Sequence, residues 1–207
     1  MRDYSGNQEK QGCYYFNYAT VDGVDLFIRP VYKQLVVHTL NHFIEHKGVT
    51  VYAWCLMSSQ LQLVGRINEG YSIQAVDDEF REFTTAKIYE AMETEPEARR
   101  KWMLERFHTT EGILGFNKKF IVWDPAHMPV RMDDRKCEYL ADQFDTIHAG
   151  PVKDRIVDIA VDYKYSSARD YNGLRGLVQI TKLSQVEQQL AAAENINGQL
   201  IVKYIRN

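Results

Sequence analysis

Hydrophobic and polar residues alternate strictly in the segment QLQL, residues 60–63. Side chains alternate across a strand, so the two leucines face one side of a sheet, and Gln60 and Gln62 face the other. The apolar run before it, residues 49–57, is typical of a buried strand, and a Ser-Ser pair separates the two segments. The pattern predicts that residues 49–57 and 61–66 are adjacent antiparallel strands in a central sheet.

Apolar residues recur with helical spacing elsewhere along the chain. The predicted helices cover residues 31–47 after Pro30, residues 72–92, a segment beginning at Pro96, and residues 133–148. Proline suits a first helical turn because its missing N–H has no helical partner there. Further strands are predicted at residues 13–21 and 120–123, with a polar loop at residues 109–119. This order predicts an α+β fold, a ferredoxin-like antiparallel sheet covered by helices.

The same patterns divide the chain into three parts. Residues 1–12 form a polar N-terminal tail, and residues 13–176 form the main domain. Residues 177–207 are predicted to be a C-terminal extension, made of a helix (LSQVEQQLAAAENI) and a strand (QLIVKYI).

Composition narrows the class of protein. The 207 residues are 45% hydrophobic, carry a net charge of −3 and have a pI of about 6.1, which gives no global attraction to nucleic acid. The three cysteines form no CxxC pair, which indicates a reducing compartment. The first residues lack the apolar core of a signal peptide, and no apolar run approaches the ~20 residues of a membrane span. We therefore expect a cytoplasmic protein without a membrane partner.

Three histidines, His38, His42 and His46, lie one helical turn apart on the first predicted helix. They could form a metal or partner site, but the HTLNH segment lacks the glutamate of a zinc hydrolase, which favours a solvated helix face. The acidic runs VDDEFREF and ETEPE are likewise interpreted as solvated faces.

Five segments, in order and at sensible spacing, carry a family resemblance. They are YAWCLM with QLQLV, then FREFTTAKIYEAMETEPEARRKWML, FIVWDPAHMPV, DTIHAGPVKDRIV and DYKYSSARDYNGLRG. Together they resemble the single-tyrosine HUH transposases, in particular the REP-associated tyrosine transposases. The resemblance runs from about residue 13 to 177.

The resemblance implies a specific chemistry. In that family two histidines, one residue apart on a strand, bind a divalent metal such as Mg²⁺ or Mn²⁺, which polarises the scissile phosphate. A tyrosine on a later helix attacks the phosphorus and becomes covalently linked to DNA. A third metal ligand follows four residues later, on the same helical face.

This chain departs from the family at every one of those positions. The histidines correspond to Gln60 and Gln62, the tyrosine to Thr146, and the third ligand to Gly150. Neutral amides bind divalent ions poorly, an aliphatic hydroxyl is a weaker nucleophile than a phenol, and glycine has no side chain. The resemblance therefore implies a transposase-like, catalytically inactive DNA-binding protein that uses no metal cofactor. His148, which matches a family histidine, is interpreted as structural.

Basic residues in the second half could contact a hairpin or single-stranded DNA, as the family's phosphate contacts do. The candidates are Lys118, Lys119, Arg131, Lys153, Arg155 and Arg169. Acidic residues are interleaved with them, so ordinary surface charge is the alternative. Two other functions remain open, a protein-interaction module that keeps only the fold and an active transposase with different catalytic residues. The oligomeric state, monomer or homodimer, is also open.

Overall fold

A computed structural model of the protein describes residues 12–111, 117–132 and 137–182. The helix and strand expected in the C-terminal extension, and nearly all of the N-terminal tail, lie outside these described residues. The domain boundaries therefore stay predictions.

The central sheet has four antiparallel strands. They are β1 (Cys13–Ala19), β2 (Val49–Leu56), β3 (Gln60–Ile67) and β6 (Val130–Met132), in the spatial order β2-β3-β1-β6. Helix α1 (Pro30–His46) connects β1 to β2, and β3 lies between these two parallel strands. This is the split βαβ arrangement of the ferredoxin-like fold, so the predicted fold class is confirmed.

The remaining elements surround this sheet. They are α2 (Ile73–Thr94), α3 (Arg100–Phe107), the hairpin β4 (His108–Glu111) and β5 (Asn117–Phe120), α4 (Cys137–Lys153) and the short α5 (Ala168–Tyr171). Helix α2 begins as its sequence predicts, because Ser72 at the N-cap accepts a hydrogen bond from the Ala75 backbone N–H at 3.4 Å.

Four local predictions were wrong. The helix expected to begin at Pro96 begins at Arg100, after a turn at residues 98–99. The polar loop expected at residues 109–119 contains the β4–β5 hairpin, and the strand expected at 120–123 ends at Phe120. Beyond it, Trp123 forms only an isolated bridge with Thr20. Strand β4 is polar and pairs through its backbone, so it lacks the apolar alternation by which strands are recognised. Helix α4 was expected to end at residue 148. It continues to Lys153 and includes Pro151.

Hydrophobic side chains pack on both faces of the sheet. On one face, α1 and α2 cover a core centred on Phe16, Trp54 and Leu61, all at most 3% exposed. On the other face, α4 packs against β2 and β3 and buries Val64 and Phe144. The sheet is therefore the middle of three layers, and the side chains of β1, β2 and β3 project alternately into the two cores.

The outer edge of β2 is covered by the chain that follows α4. The Leu56 N–H donates to the Tyr165 carbonyl at 2.9 Å, and the Ser167 N–H donates to the Trp54 carbonyl at 3.0 Å. Further along, the Thr181 N–H donates to Val51 at 2.8 Å. These bonds satisfy backbone groups that would otherwise offer an edge for pairing with another chain.

Both acidic runs contain a buried carboxylate, contrary to the expectation of solvated faces. Asp77 is 1% exposed and accepts a hydrogen bond from Arg81 Nε at 2.9 Å. The Glu97 side chain is 2% exposed and forms ion pairs with Arg29 and Arg99. The pattern of acidic residues in the sequence could not distinguish these two carboxylates from their solvated neighbours. Their burial depends on the distant segments that pack against them.

No helix in the described part of the chain combines the length and the apolar character needed to cross a membrane.

Candidate functional site

Gln60 and Gln62 lie on one face of β3, as their alternation predicted, and both are partly exposed. Gln62 is paired in register with Asn17 of β1 and with Cys55 of β2. Residues opposite each other in antiparallel strands share a face, so these three side chains form a row across the sheet. Gln62 Nε2 donates a hydrogen bond to the Tyr15 hydroxyl at 3.0 Å.

Helix α4 packs on this side of the sheet, against β2 and β3. His148 contacts Ser167 beside the β2 edge, with 2.7 Å between Nε2 and Oγ. Thr146 and Gly150 lie on the opposite flank of the helix, given about 100° of rotation per residue. On that flank Thr146 is exposed and Gly150 is partly exposed, while Ile147 between them packs into the core.

The loop after β2 connects this flank to the glutamines. A Cβ atom on Gly150 would lie 3.7 Å from Met57 Sδ, an ordinary van der Waals contact. The Met57 N–H in turn donates to the Gln60 carbonyl at 2.8 Å. Gln60 and Gly150 thus border one polar region between β3 and α4, with Gln62 two residues along the strand, whereas Thr146 is exposed.

The side chains in this region can exchange hydrogen bonds but offer weak metal ligands. Burial raises the pKa of the Tyr15 hydroxyl, opposed by its hydrogen bond with Gln62, so the phenol is protonated at neutral pH. Thr146 Oγ1 donates to the Asp142 carbonyl at 2.9 Å, within its own helix. No group of three or more His, Cys, Asp or Glu residues that could hold a metal occurs in the described residues.

His148 contacts the segment that covers the outer edge of β2. Its partner Ser167 Oγ accepts a hydrogen bond from the Trp54 N–H at 2.9 Å. Burial lowers the pKa of His148 to about 4, against a smaller opposing effect of Asp145, so the imidazole is neutral at pH 7. These contacts support a structural role for this histidine.

The six candidate DNA-contacting residues do not lie on one face. Lys153 ends α4, and Arg155 follows it in a left-handed turn at φ 56°; both are exposed. Arg131 is paired in register with Tyr14, which packs against the core under α1 and α2 on the other side of the sheet. Arg169 donates to the Val161 carbonyl at 3.2 Å.

The two remaining candidates, Lys118 and Lys119, lie on β5, in the separate two-stranded sheet. Phe120, next to them, packs against Phe107 of α3, with ring centroids 5.7 Å apart. The hairpin is therefore on the α2–α3 side of the molecule. The candidates thus fall into separate groups, with Lys118 and Lys119 on β5 and with Lys153 and Arg155 where α4 ends.

The three histidines of α1 do not assemble a metal site. His42 stacks on His46 at 4.7 Å between ring centroids and on Phe83 at 5.9 Å. His38 is exposed.

Sequence reasoning missed Tyr15 and Asn17, which complete the polar face. The signal was present in the segment CYYFNYA, where Tyr15 and Asn17 stand on either side of the buried Phe16 and so project to the opposite face. Only the register of β1 against β3 places them beside Gln62.

No protein-family profile and no curated protein matches this sequence. Among solved structures, the chain is similar to a REP-associated tyrosine transposase bound to a REP hairpin. The sequences are 16% identical, the TM-score is 0.56, and the match covers 88% of this chain and 93% of that chain. A Deinococcus radiodurans protein described as a candidate transposase matches at 12% identity and a TM-score of 0.42, over 70% of this chain and 97% of that one. The first similarity shows that this chain shares the fold of that transposase.

Proposed function

We propose that this protein binds DNA with a transposase fold and has lost strand cleavage. The observation that carries the proposal is the polar region between β3 and α4. By the resemblance in sequence, Gln60, Gln62, Thr146 and Gly150 correspond to the metal ligands and the nucleophile of the resembled family.

The loss of cleavage follows from the chemistry of those four residues. Phosphoryl transfer from DNA needs an activated nucleophile and a Lewis acid to stabilise the developing charge. The hydroxyl of Thr146 already donates to the backbone of its own helix. Neutral amides lack the charge that holds a hard divalent cation, and Gly150 adds no ligand.

DNA binding needs fewer features, and two observations support it. The structural neighbour with the same fold is bound to a REP hairpin. In this chain, Lys153 and Arg155 are both exposed, two residues apart, where α4 ends. Two cations of this kind suffice for salt-dependent contacts with phosphates.

Fluorescence anisotropy at two salt concentrations, with hairpin and single-stranded DNA, tests the binding. Lys153→Ala with Arg155→Ala should weaken binding and reduce the slope of log K against log salt by about 1.4 for single strands. The matched control is Lys87→Ala with Lys101→Ala, which removes two exposed lysines from the helices on the other side. Equal effects of the two pairs would place the DNA elsewhere, and absence of binding would favour the fold-only interaction module.

Incubation with single-stranded DNA and Mn²⁺, followed by denaturing electrophoresis, tests the loss of cleavage. We expect neither shortened DNA nor a protein–DNA adduct that survives denaturation. A covalent adduct would refute the proposal and would favour an active transposase with different catalytic residues.

A further inference from the structure

Four aromatic side chains form a connected, partly exposed group where α1 ends and α2 passes it. His42 stacks on His46, with 4.7 Å between ring centroids, and on Phe83 of α2, with 5.9 Å. The Tyr71 hydroxyl, just before α2, donates to the His46 carbonyl at 3.5 Å. Tyr71 is 46% exposed and Phe83 is 39% exposed. We call these four residues the aromatic patch.

The rim of the aromatic patch is acidic. The side chains of Glu45 and Glu79 are 60% and 48% exposed, and the exposed Glu82 directly precedes Phe83 on α2. Lys47 pairs with Glu79 at 2.6 Å and so offsets one of these charges. Connected apolar surface with a polar rim is typical of a surface that another segment covers. The charge of this rim favours an apolar and basic occupant.

The last described residues lie along the helix that carries the two histidines. Asn41 Nδ2 of α1 donates to the Leu177 carbonyl at 2.9 Å, and the Gln179 N–H donates to Asn41 Oδ1 at 3.0 Å. Asn41 directly precedes His42, so this segment and the aromatic patch lie on neighbouring flanks of one helix. The chain after Lys182 therefore continues from a point that is separated from the patch by the width of α1.

The chemistry of residues 199–206, QLIVKYIR, matches that of the aromatic patch. This segment contains two basic residues, Lys203 and Arg206, and no acidic side chain. Alternate residues of an extended segment share one face. Here one such face carries Leu200, Val202, Tyr204 and Arg206. It is an apolar face with a cation at one end.

We propose that residues 199–206 dock on the aromatic patch of their own chain, with the apolar side chains on the rings and the basic residues beside Glu45 and Glu82. Residues 183–198 suffice as a connection, because at roughly 3.3 Å per residue they reach up to about 50 Å, whereas a helix is only about 10 Å wide. Burial of the rings supplies most of the stabilisation, since exposed ion pairs contribute little. The charges select the segment and its direction.

Photo-cross-linking in the full chain tests the docking. Phe83→p-benzoylphenylalanine places a photoreactive group in the aromatic patch. Tyr89→p-benzoylphenylalanine is the matched control, because Tyr89 is 41% exposed on the same helix but packs against Phe120 of the hairpin, with ring centroids 4.9 Å apart. After irradiation and digestion, mass spectrometry should find residues 199–206 attached to position 83 about tenfold more often than to position 89, because docking raises their local concentration at the patch.

A charge exchange connects the cross-link to the proposed contacts. With the photoreactive group at position 83, Lys203→Glu with Arg206→Glu should lower the yield several-fold, and so should Glu45→Lys with Glu82→Lys. Combining the two double variants should restore the yield, because opposite charges again face each other. Glu45 and Glu82 are exposed, so these substitutions leave the core unchanged.

Three results would overturn the proposal. The first is a C-terminal segment that cross-links equally to positions 83 and 89, or to neither. The second is a yield that none of the charge variants changes. The third is a cross-link between two molecules whose yield rises with protein concentration, which would show that a second copy covers the aromatic patch. The experiment contains no DNA, so its result is independent of the DNA binding proposed above.

Discussion

Lowering the pH from 7.5 to 5.0 should destabilise the protein through His148. Burial lowers the pKa of this imidazole to about 4, from an unperturbed value of 6.5. A depressed pKa means that stability is fully present above pH 6.5 and is lost as the pH falls towards 4, because the unfolded chain takes up the proton first. At pH 5.0 nearly every unfolded chain is protonated at this imidazole, whereas only about one folded chain in ten is protonated there.

The difference in proton uptake sets the magnitude. Linkage gives a loss of about 2 kcal/mol in the free energy of unfolding between pH 7.5 and pH 5.0, rising to about 3 kcal/mol at pH 4 and below. Such a loss is a large share of the stability of an ordinary domain. Protonation would alter the contact between His148 and Ser167, a residue of the segment that covers the outer edge of β2.

Urea unfolding at the two pH values measures this loss, and His148→Gln isolates it. Glutamine can still pair with the Ser167 hydroxyl but does not titrate, so the variant should lose about 2 kcal/mol less than the unmodified protein between the two pH values. The control, His38→Gln, removes an exposed histidine of α1 and should keep the full pH dependence. If His148→Gln loses as much stability as the unmodified protein, the buried neutral imidazole is not the cause.

Three further changes have definite expected outcomes. Gly65→Ala should destabilise the fold by about 1–3 kcal/mol in urea unfolding, because the new Cβ would lie 2.6 Å from the Thr50 carbonyl oxygen of β2; an unchanged midpoint would contradict this. Trp123→Phe should cost about 1–3 kcal/mol, since the indole N–H donates to a buried threonine hydroxyl of α2 at 2.6 Å, and thermal unfolding would measure it. Calorimetry with Mn²⁺ should show no binding to the unmodified chain. The double variant Gln60→His with Gln62→His should create binding. A heat of Mn²⁺ binding to the unmodified chain that disappears in Gln60→Ala would refute the first expectation.

Local sequence pattern was sufficient where a segment's structure depends on its own periodicity. The alternation at residues 60–63 predicted both strand β3 and the side to which its glutamines project, since the two-residue period of a strand leaves no other choice. Pro30 marked the start of α1 for a similarly local reason. The order of these elements was enough for the fold class.

Contacts between distant segments were decided only by the tertiary structure. Polar β4 forms a strand because β5 supplies its backbone partners, and Asp77 is buried although its neighbours in the same acidic run are exposed. The polar face of β3 shows the same division. The sequence supplied Gln62 and its direction, but the antiparallel register of β1 placed Asn17 beside it, and such a register is set by pairing across the whole sheet, which no local segment encodes.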